Sequence, residues 1–260
     1  MPNHRFILEY DGTDFEGWQR QPPGHRTVQG ALEDALARVT GAFAPVAGAG
    51  RTDAGVHAEG QVASAELATR LPPEGLWQAL NAVLPADLAV VGLERAEPGF
   101  HARRDAAAKV YRYRIWNGTE RSPLRDRYAL AVSAKLDLAS VTAAAAHLRG
   151  TWDFSSFQAS GSSPGSAVRT LRRLELSGSP GGEIVLEFEG NGFLRHMVRN
   201  LVGTLLEVGR GRRVPDSLPA VLAARDRAAA GPTAAARGLS LIRVIYGIPR
   251  NPEELERRGS

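Results

Sequence analysis

The sequence predicts an α+β protein of two ferredoxin-like (βαββαβ) halves, with largely antiparallel sheets flanking a central cleft. Three observations predict it. Residues 5–93 run strand, helix, strand, strand, helix, strand by hydrophobic period and turn signals. Residues 107–246 repeat that order with one extra helix. The chain has 260 residues, 43% of them apolar, enough for two domains of ordinary size with real cores. The division falls near residue 105, giving an N-terminal α/β domain over 1–105 and a C-terminal one over 106–260. Two such halves are an economical way to hold a large ligand.

Arg5 to Tyr10 alternates in β-branched and aromatic residues and reads as a strand. Asp11 to Asp14 is a turn, and Phe15 to Gln21 a polar loop with two exposed-type aromatics. That loop is either a ligand loop or a flap packed by its own rings. Thr27 caps a helix whose apolar face is Val28, Leu32, Ala35, Leu36 and Val39, stopped by Gly41. A strand enters a glycine-rich loop at Gly50, and Gln61 to Ala65 leaves it as another. Pro73 to Leu84 is a second helix, with Leu76, Trp77, Leu80, Val83 and Leu84 facing in, and Leu88 to Leu93 a strand. In the second half, Ala107 to Trp116 is a strand and Leu138 to Leu148 a helix capped by Asp137. Arg169 to Leu176 and Glu183 to Glu189 are strands joined through Gly178 to Gly182. Leu194 to Val208 is an amphipathic helix, Pro215 to Arg227 an extra one, and Leu239 to Tyr246 the closing strand. Residues 250–260 form an unassigned polar tail.

Composition removes several classes of function. There is no cysteine, so disulfides, thiolate metal sites and cysteine nucleophiles are excluded, which fits a cytoplasmic protein. No apolar run has the length of a membrane span, and residues 1–20 carry no signal-peptide core, so the N-terminus reads as mature. The net charge is +4, and of 32 cationic residues only Lys109 and Lys135 are lysine. Arginine pairs bidentately with phosphate, so a polyanion partner is one reading and a genomic codon bias the other.

The stretch Gly50-Arg51-Thr52-Asp53-Ala54-Gly55-Val56-His57-Ala58 concentrates chemistry. A dinucleotide fingerprint fails there, because Asp53 stands where the third glycine belongs and would face the pyrophosphate. A P-loop fails too, because Val56-His57 replaces its lysine and hydroxyl residue. Asp53 can be a covalent nucleophile held ionised by Arg51, or a turn carboxylate capping backbone amides. His57 is four residues from Asp53 but in a loop, and nothing like His-Glu-x-x-His occurs, so no metal is expected. His147 reads as structural or solvated, and no spacing supports a Ser-His-Asp triad.

Three further segments draw attention. Along 109–116, Lys109, Tyr111, Tyr113 and Ile115 share one strand face and Val110, Arg112, Arg114 and Trp116 the other. Rings and guanidinium groups on a sheet can receive bases, or simply pair across strands. Arg195 and Arg199 fall four apart near the start of the long helix, after Gly192, and would share a face. Positive charge there opposes the helix dipole, which favours an anion. His101, Arg103 and Arg104 add charge near the division.

Together these segments resemble the tRNA pseudouridine synthase A family (tRNA-uridine isomerase I). The likeness is carried by Gly50 to Ala58, Phe100-His101-Ala102-Arg103, Tyr111-Arg112-Tyr113 and Asn191 to Asn200. Leu8 to Thr13 and Phe15 to Gln19 add to it, and it runs from about residue 5 to about 247. The resemblance implies isomerisation of uridine to pseudouridine at positions 38, 39 and 40 of the tRNA anticodon stem and loop. It implies no cofactor, no metal, and a homodimer gripping one tRNA across both subunits. It makes Asp53 the nucleophile and Arg51 the arginine that contacts it and helps extrude the base. It makes Tyr111 the ring that stacks on the target base and a candidate for removing the C5 proton. Arg195, Arg199 and Arg103 are assigned to the RNA backbone and His57 to substrate binding. Where family members often carry lysine on the RNA face, this chain carries arginine. A non-catalytic RNA-binding protein of paired RRM-like units would have no use for Asp53. A small-molecule hydrolase using Asp53 would show no salt-dependent RNA affinity.

Overall fold

A computed structural model of the protein describes residues 1–159, 161 and 165–247. The polar tail over 250–260 lies outside the described residues. The chain forms two compact units: Met1–Ala107 joined by the closing strand from Ser240 onward, and Ala108–Leu239.

The first unit runs β1 (Asn3–Tyr10), α1 (Val28–Thr40), β2 (Ala47–Gly48), β3 (His57–Glu66), α2 (Pro73–Asn81) and β4 (Leu88–Arg95). Strand β1 lies antiparallel between β3 and β4, with Phe6 opposite Ala63 on one side and Leu93 on the other. Its alternation sends Phe6, Leu8 and Tyr10 into the core. Strand β2 is only two residues long and pairs antiparallel with β3, Gly48 opposite Ala63. Helix α1 starts where its cap predicts: Thr27 Oγ1 accepts from the Gly30 N–H at 3.2 Å. It stops at Gly41, which takes the left-handed conformation.

Helix α2 ends at Asn81 rather than Leu84. Pro85 disfavours helical backbone at Leu84, and the Val83 and Leu84 N–H groups both turn back to the Leu80 carbonyl. Trp77 does not face in; it is 39% exposed and donates its indole N–H to Val90 O at 2.6 Å. Phe15 and Trp18, by contrast, are buried, so the loop after β1 is a flap packed by its rings.

The second unit contains β5 (Ala106–Trp116), α3 (Pro123–Asp126), β6 (Leu130–Ala131), α4 (Leu138–Leu148), β7 (Gly150–Asp153), β8 (Val168–Gly178), β9 (Glu183–Gly190), α5 (Met197–Gly209) and α6 (Leu218–Ala224). Its strands lie in the order β5-β9-β8-β7, all antiparallel, with β6 parallel to β5. The short elements α3, β6 and β7 have no counterpart in the sequence reading. Helix α5 begins three residues later than expected, because His196 stands in the left-handed conformation just before Met197. It keeps the expected amphipathic pattern and is in addition buried on nearly all sides. The extra helix splits into a tight turn over Pro215–Ser217 and α6.

The closing strand β10 (Leu239–Tyr246) runs parallel to β3, Ser240 opposite His57 and Leu241 opposite Ala58. Both units are mixed α/β, and among the described residues no helix is long and apolar enough to cross a membrane.

Polar side chains also sit inside the second unit's core, among them Asn117, Ser156, Asn200 and Thr204. Asn200 on α5 is fully buried and donates Nδ2–H to Phe157 O at 2.8 Å. Its Oδ1 accepts from Thr233 Oγ1 at 2.6 Å and from Arg227 Nη2 at 3.1 Å. Three segments distant in sequence thus meet on one amide. Asn200→Ala is expected to lower unfolding free energy by about 2–4 kcal/mol, because partners lose their bonds while staying buried. Urea denaturation followed by circular dichroism measures it, and a loss below about 0.5 kcal/mol would show that water replaces the amide.

Candidate active site

In the first unit the candidate site is the loop from β2 to β3. Arg51 is exposed, Thr52 buried, Asp53 half-buried and Ala54 exposed. The Val56 N–H donates to Asp53 O at 3.1 Å, closing a turn over 53–56. The side chain of Asp53 therefore sits on a tight turn at the loop's tip.

That turn rests on main chain from the flap. The Trp18 N–H donates to Thr52 O at 3.0 Å, and the Gly55 N–H donates to Phe15 O at 3.3 Å. Backbones approach this closely only where side chains are missing. A Cβ on Gly17, whose φ is +94°, would lie 2.8 Å from Thr52 O. A Cβ on Gly12 would lie 2.0 Å from Val56 O.

Side chains finish the seating. Tyr10 Oη and Thr52 Oγ1 are 2.8 Å apart and both buried. Burial pushes the Tyr10 phenol up to about 12, so it stays neutral. Gln61 Nε2 donates to Gly50 O at 2.7 Å, at the loop's entry. His57 is 3% exposed, and its Nδ1 lies 3.0 Å from the Gly12 N–H and 3.2 Å from Asp11 Oδ1. One ring nitrogen cannot accept from an amide and donate to a carboxylate at once. The amide hydrogen is fixed by the backbone, so Nδ1 accepts, the proton sits on Nε2, and the Asp11 contact is not an ion pair.

Arg103 lies on an exposed turn of the same unit. Its N–H and that of Arg104 both donate to His101 Nδ1, at 3.1 and 3.2 Å. Ala102 pins the turn: its N–H donates to Ser64 Oγ at 3.1 Å, and its carbonyl accepts from Tyr246 Oη at 2.8 Å. Asp53, Arg51, His57 and Arg103 all belong to this unit; Tyr111, Arg195 and Arg199 belong to the other.

Tyr111 lies on β5 opposite Phe188 of β9 and is 7% exposed. Its ring meets Phe193 edge-on, centroids 5.1 Å apart at 81°. Arg195 is exposed and precedes α5, so it shares no helical face with Arg199, contrary to their spacing. Its carbonyl accepts from the Ala159 N–H at 2.9 Å. Arg199 is half-buried and donates Nε–H to Ala234 O at 2.8 Å, while the Ala234 N–H returns to Arg199 O at 3.1 Å.

The opposite face of β5 is a cross-strand ladder of charge. Arg112 meets Glu187 at 3.1 Å, and Arg173 meets Glu187 too, with Glu175 at 3.1 Å and Glu189 at 3.6 Å. Burial works to raise the Glu187 carboxyl, but Arg112 and Arg173 outweigh it and hold it below the usual range. Among the described residues, no group of three or more His, Asp or Glu side chains could hold a metal ion.

Sequence reasoning did not mark Tyr10, Gly17 or Gln61 as parts of this loop's seat. The glycine at 17 was the available signal, since glycine permits positive φ and close backbone approach.

The model of a family described as tRNA pseudouridine synthase matches residues 7–103 and 144–247. A tRNA pseudouridine synthase A of Myxococcus xanthus is 47% identical over 246 residues, covering 95% of this chain and 92% of that protein. The Moorella thermoacetica protein of the same name is 47% identical over 247 residues, covering 95% and 100%. That of Thermus thermophilus is 46% identical over 249 residues, covering 95% and 96%. Among solved structures, a chain of a Cbf5-Nop10-Gar1 complex aligns with 92% of this chain and 49% of its own length, at TM-score 0.39 and 12% identity. That likeness is too distant to bear on the site.

Tyr10→Phe tests the seat directly. It leaves Thr52 Oγ1 buried without its phenol partner and is expected to cost about 1–3 kcal/mol of stability. The difference in urea midpoint between the two proteins measures it; an unchanged midpoint would mean that Thr52 finds another partner.

Proposed function

The chain belongs to the tRNA pseudouridine synthase family, and on that premise we propose that it acts on uridines 38, 39 and 40 of the anticodon stem and loop. It is an isomerase that converts uridine to pseudouridine in tRNA. Asp53 is the nucleophile, at C1′ of the ribose or C6 of the ring. The N1–C1′ bond breaks, the uracil turns, C5 joins C1′, C5 loses a proton and N1 gains one. Nothing is oxidised or reduced, so the stoichiometry calls for no cofactor.

The carrying observation is the Asp53 turn. It keeps a half-open carboxylate on a loop whose neighbours Thr52, Gly55 and Val56 are hydrogen-bonded in place. A nucleophile gains rate from such fixed geometry, because orientation entropy is spent in folding. A uridine stacked in a stem must leave the stack to be reached, at a cost of a few kcal/mol. Arg51, exposed beside Asp53, takes the vacated space and helps hold the base out. Tyr111 stacks on the extruded ring, steadied edge-on by Phe193, and keeps the detached uracil from escaping. Its hydroxyl is the candidate acceptor of the C5 proton. Arg195, Arg103 and the outer nitrogens of Arg199 bind phosphates, and His57 serves substrate binding indirectly by holding the Asp11–Gly12 turn.

The finer architecture belongs to the same proposal. The first unit's order β4-β1-β3 with β2 outside β3 is that of a split βαβ sheet, which supports reading it as one ferredoxin-like half. The second half follows the same plan and carries the base and backbone contacts, a homodimer grips one tRNA, and the enzyme works in the cytoplasm. The rival of a non-catalytic RNA-binding module has no role for a seated carboxylate.

Asp53→Asn is expected to abolish pseudouridine formation on an anticodon stem-loop, read by carbodiimide labelling, while tRNA affinity stays within a few-fold. Product at the normal rate would remove Asp53 as nucleophile. Tyr111→Phe keeps the ring and loses the hydroxyl, so binding should survive and turnover should not; full turnover would confine Tyr111 to stacking.

A further inference from the structure

Glu33 is a charged residue on the buried side of α1, its side chain 2% exposed. Both of its oxygens are used. Oε2 accepts from Arg20 Nε at 2.6 Å, and Oε1 accepts from the Val46 N–H at 3.0 Å and from Gln29 Nε2 at 2.9 Å. Arg20 lies at the end of the flap, and Val46 leads directly into β2. These two stretches flank the Asp53 loop, one beneath it and one before it. Gln29 doubles both links: its Oε1 accepts from the Arg20 N–H at 2.9 Å, and its Nε2 reaches Val46 O at 3.1 Å.

The same helix holds the flap by its main chain. Its first N–H groups, on Val28 and Gln29, donate to Gly17 O at 3.1 Å and Trp18 O at 2.9 Å. From there the Trp18 N–H passes the contact on to Thr52 O. The packing is tight where the two stretches meet: a Cβ on Gly48 would lie 2.4 Å from the Trp18 ring.

An ion pair with a buried carboxylate, here facing the 39% exposed side chain of Arg20, is a poor way to gain stability, since desolvating the carboxylate consumes much of the attraction. What a carboxylate does that a leucine cannot is fix the positions of several donors at once. We propose that Glu33 is a positioning residue of the reaction, clamping the flap through Arg20 and the strand entry through Val46 so that Asp53 is held in attacking geometry. This rests on the reading of Asp53 as the nucleophile.

The test compares Glu33→Gln with Asp34→Asn. Asp34 also pairs with Arg20 but, among the described residues, makes no hydrogen bond to the strand entry, and its side chain is 73% exposed. Glu33→Gln sets an amide donor against Arg20 or Val46. It is expected to slow single-turnover pseudouridine formation about 10- to 100-fold, with the tRNA Kd within threefold of wild type. Asp34→Asn is expected to stay within twofold on both. Amide hydrogen exchange, which needs no activity, should rise in Glu33→Gln across residues 46–56 and not in β1 or β4. If Glu33→Gln does not fold, Glu33→Met, of similar volume and without charge, takes its place with the same expectations. A rate within twofold of wild type, an equal loss in Asp34→Asn, or unchanged exchange over 46–56 would overturn the clamp. Wild-type protein that makes no pseudouridine would instead overturn the proposed function, and the exchange result would still decide whether Glu33 holds the loop.

Discussion

The first unit depends on two stretches of main chain lying against one another with nothing between them. The flap after β1 can reach the 52–56 turn because positions 12 and 17 have no Cβ to keep it away. Once that contact exists, the rest follows from satisfying polar groups. Thr52 and Phe15 carbonyls have amide donors, Gly12 has an imidazole acceptor, and Tyr10 closes the base of the turn. The loop holding Asp53 therefore owes its shape to residues far from it in the chain. Rigid support beneath a short half-exposed turn is the arrangement that preorganised chemistry requires.

The second unit solves a different problem. Its long helix is surrounded, so its polar atoms need partners from whatever covers it, and Asn200 and Thr204 find them at Phe157 and in segment 227–233. Its sheet meanwhile neutralises its own charge: Arg112, Arg114 and Arg173 face Glu187, Glu183, Glu175 and Glu189. A net charge of +4 in the chain thus understates how uneven its surface is. The arginines committed to that ladder are shielded by their neighbours, while Arg51, Arg103 and Arg195 stand exposed.

Legibility in the sequence followed how local each cause was. Helix α1 was bounded correctly because Thr27 and Gly41 act within one turn of themselves. The start of α5 was not, because Leu194 continues the apolar period while the break lies in the backbone angle of His196, which no pattern reports. Strands β6 and β7 exist through pairing with β5 and β8, and nothing in four residues or fewer announces a partner. Phe15 and Trp18 looked exposed among polar neighbours; Trp18 packs on Gly48 and Phe15 lies under Arg26, contacts invisible along the chain. The Asp53 loop stood out by its unusual composition, whereas Tyr10 and Glu33 passed as ordinary strand and helix residues. Their parts are set wholly by what folds against them.

Trp18 gives the protein an optical property. Its indole is sealed from solvent against the strand that enters the loop, whereas Trp116 is half-buried and Trp77 and Trp152 are 39% and 45% exposed. A shielded indole emits at shorter wavelength than a wetted one. The blue edge of the intrinsic fluorescence is thus weighted toward a chromophore whose own amide is bonded to Thr52, and light from that edge reports on the surroundings of the carboxylate next door.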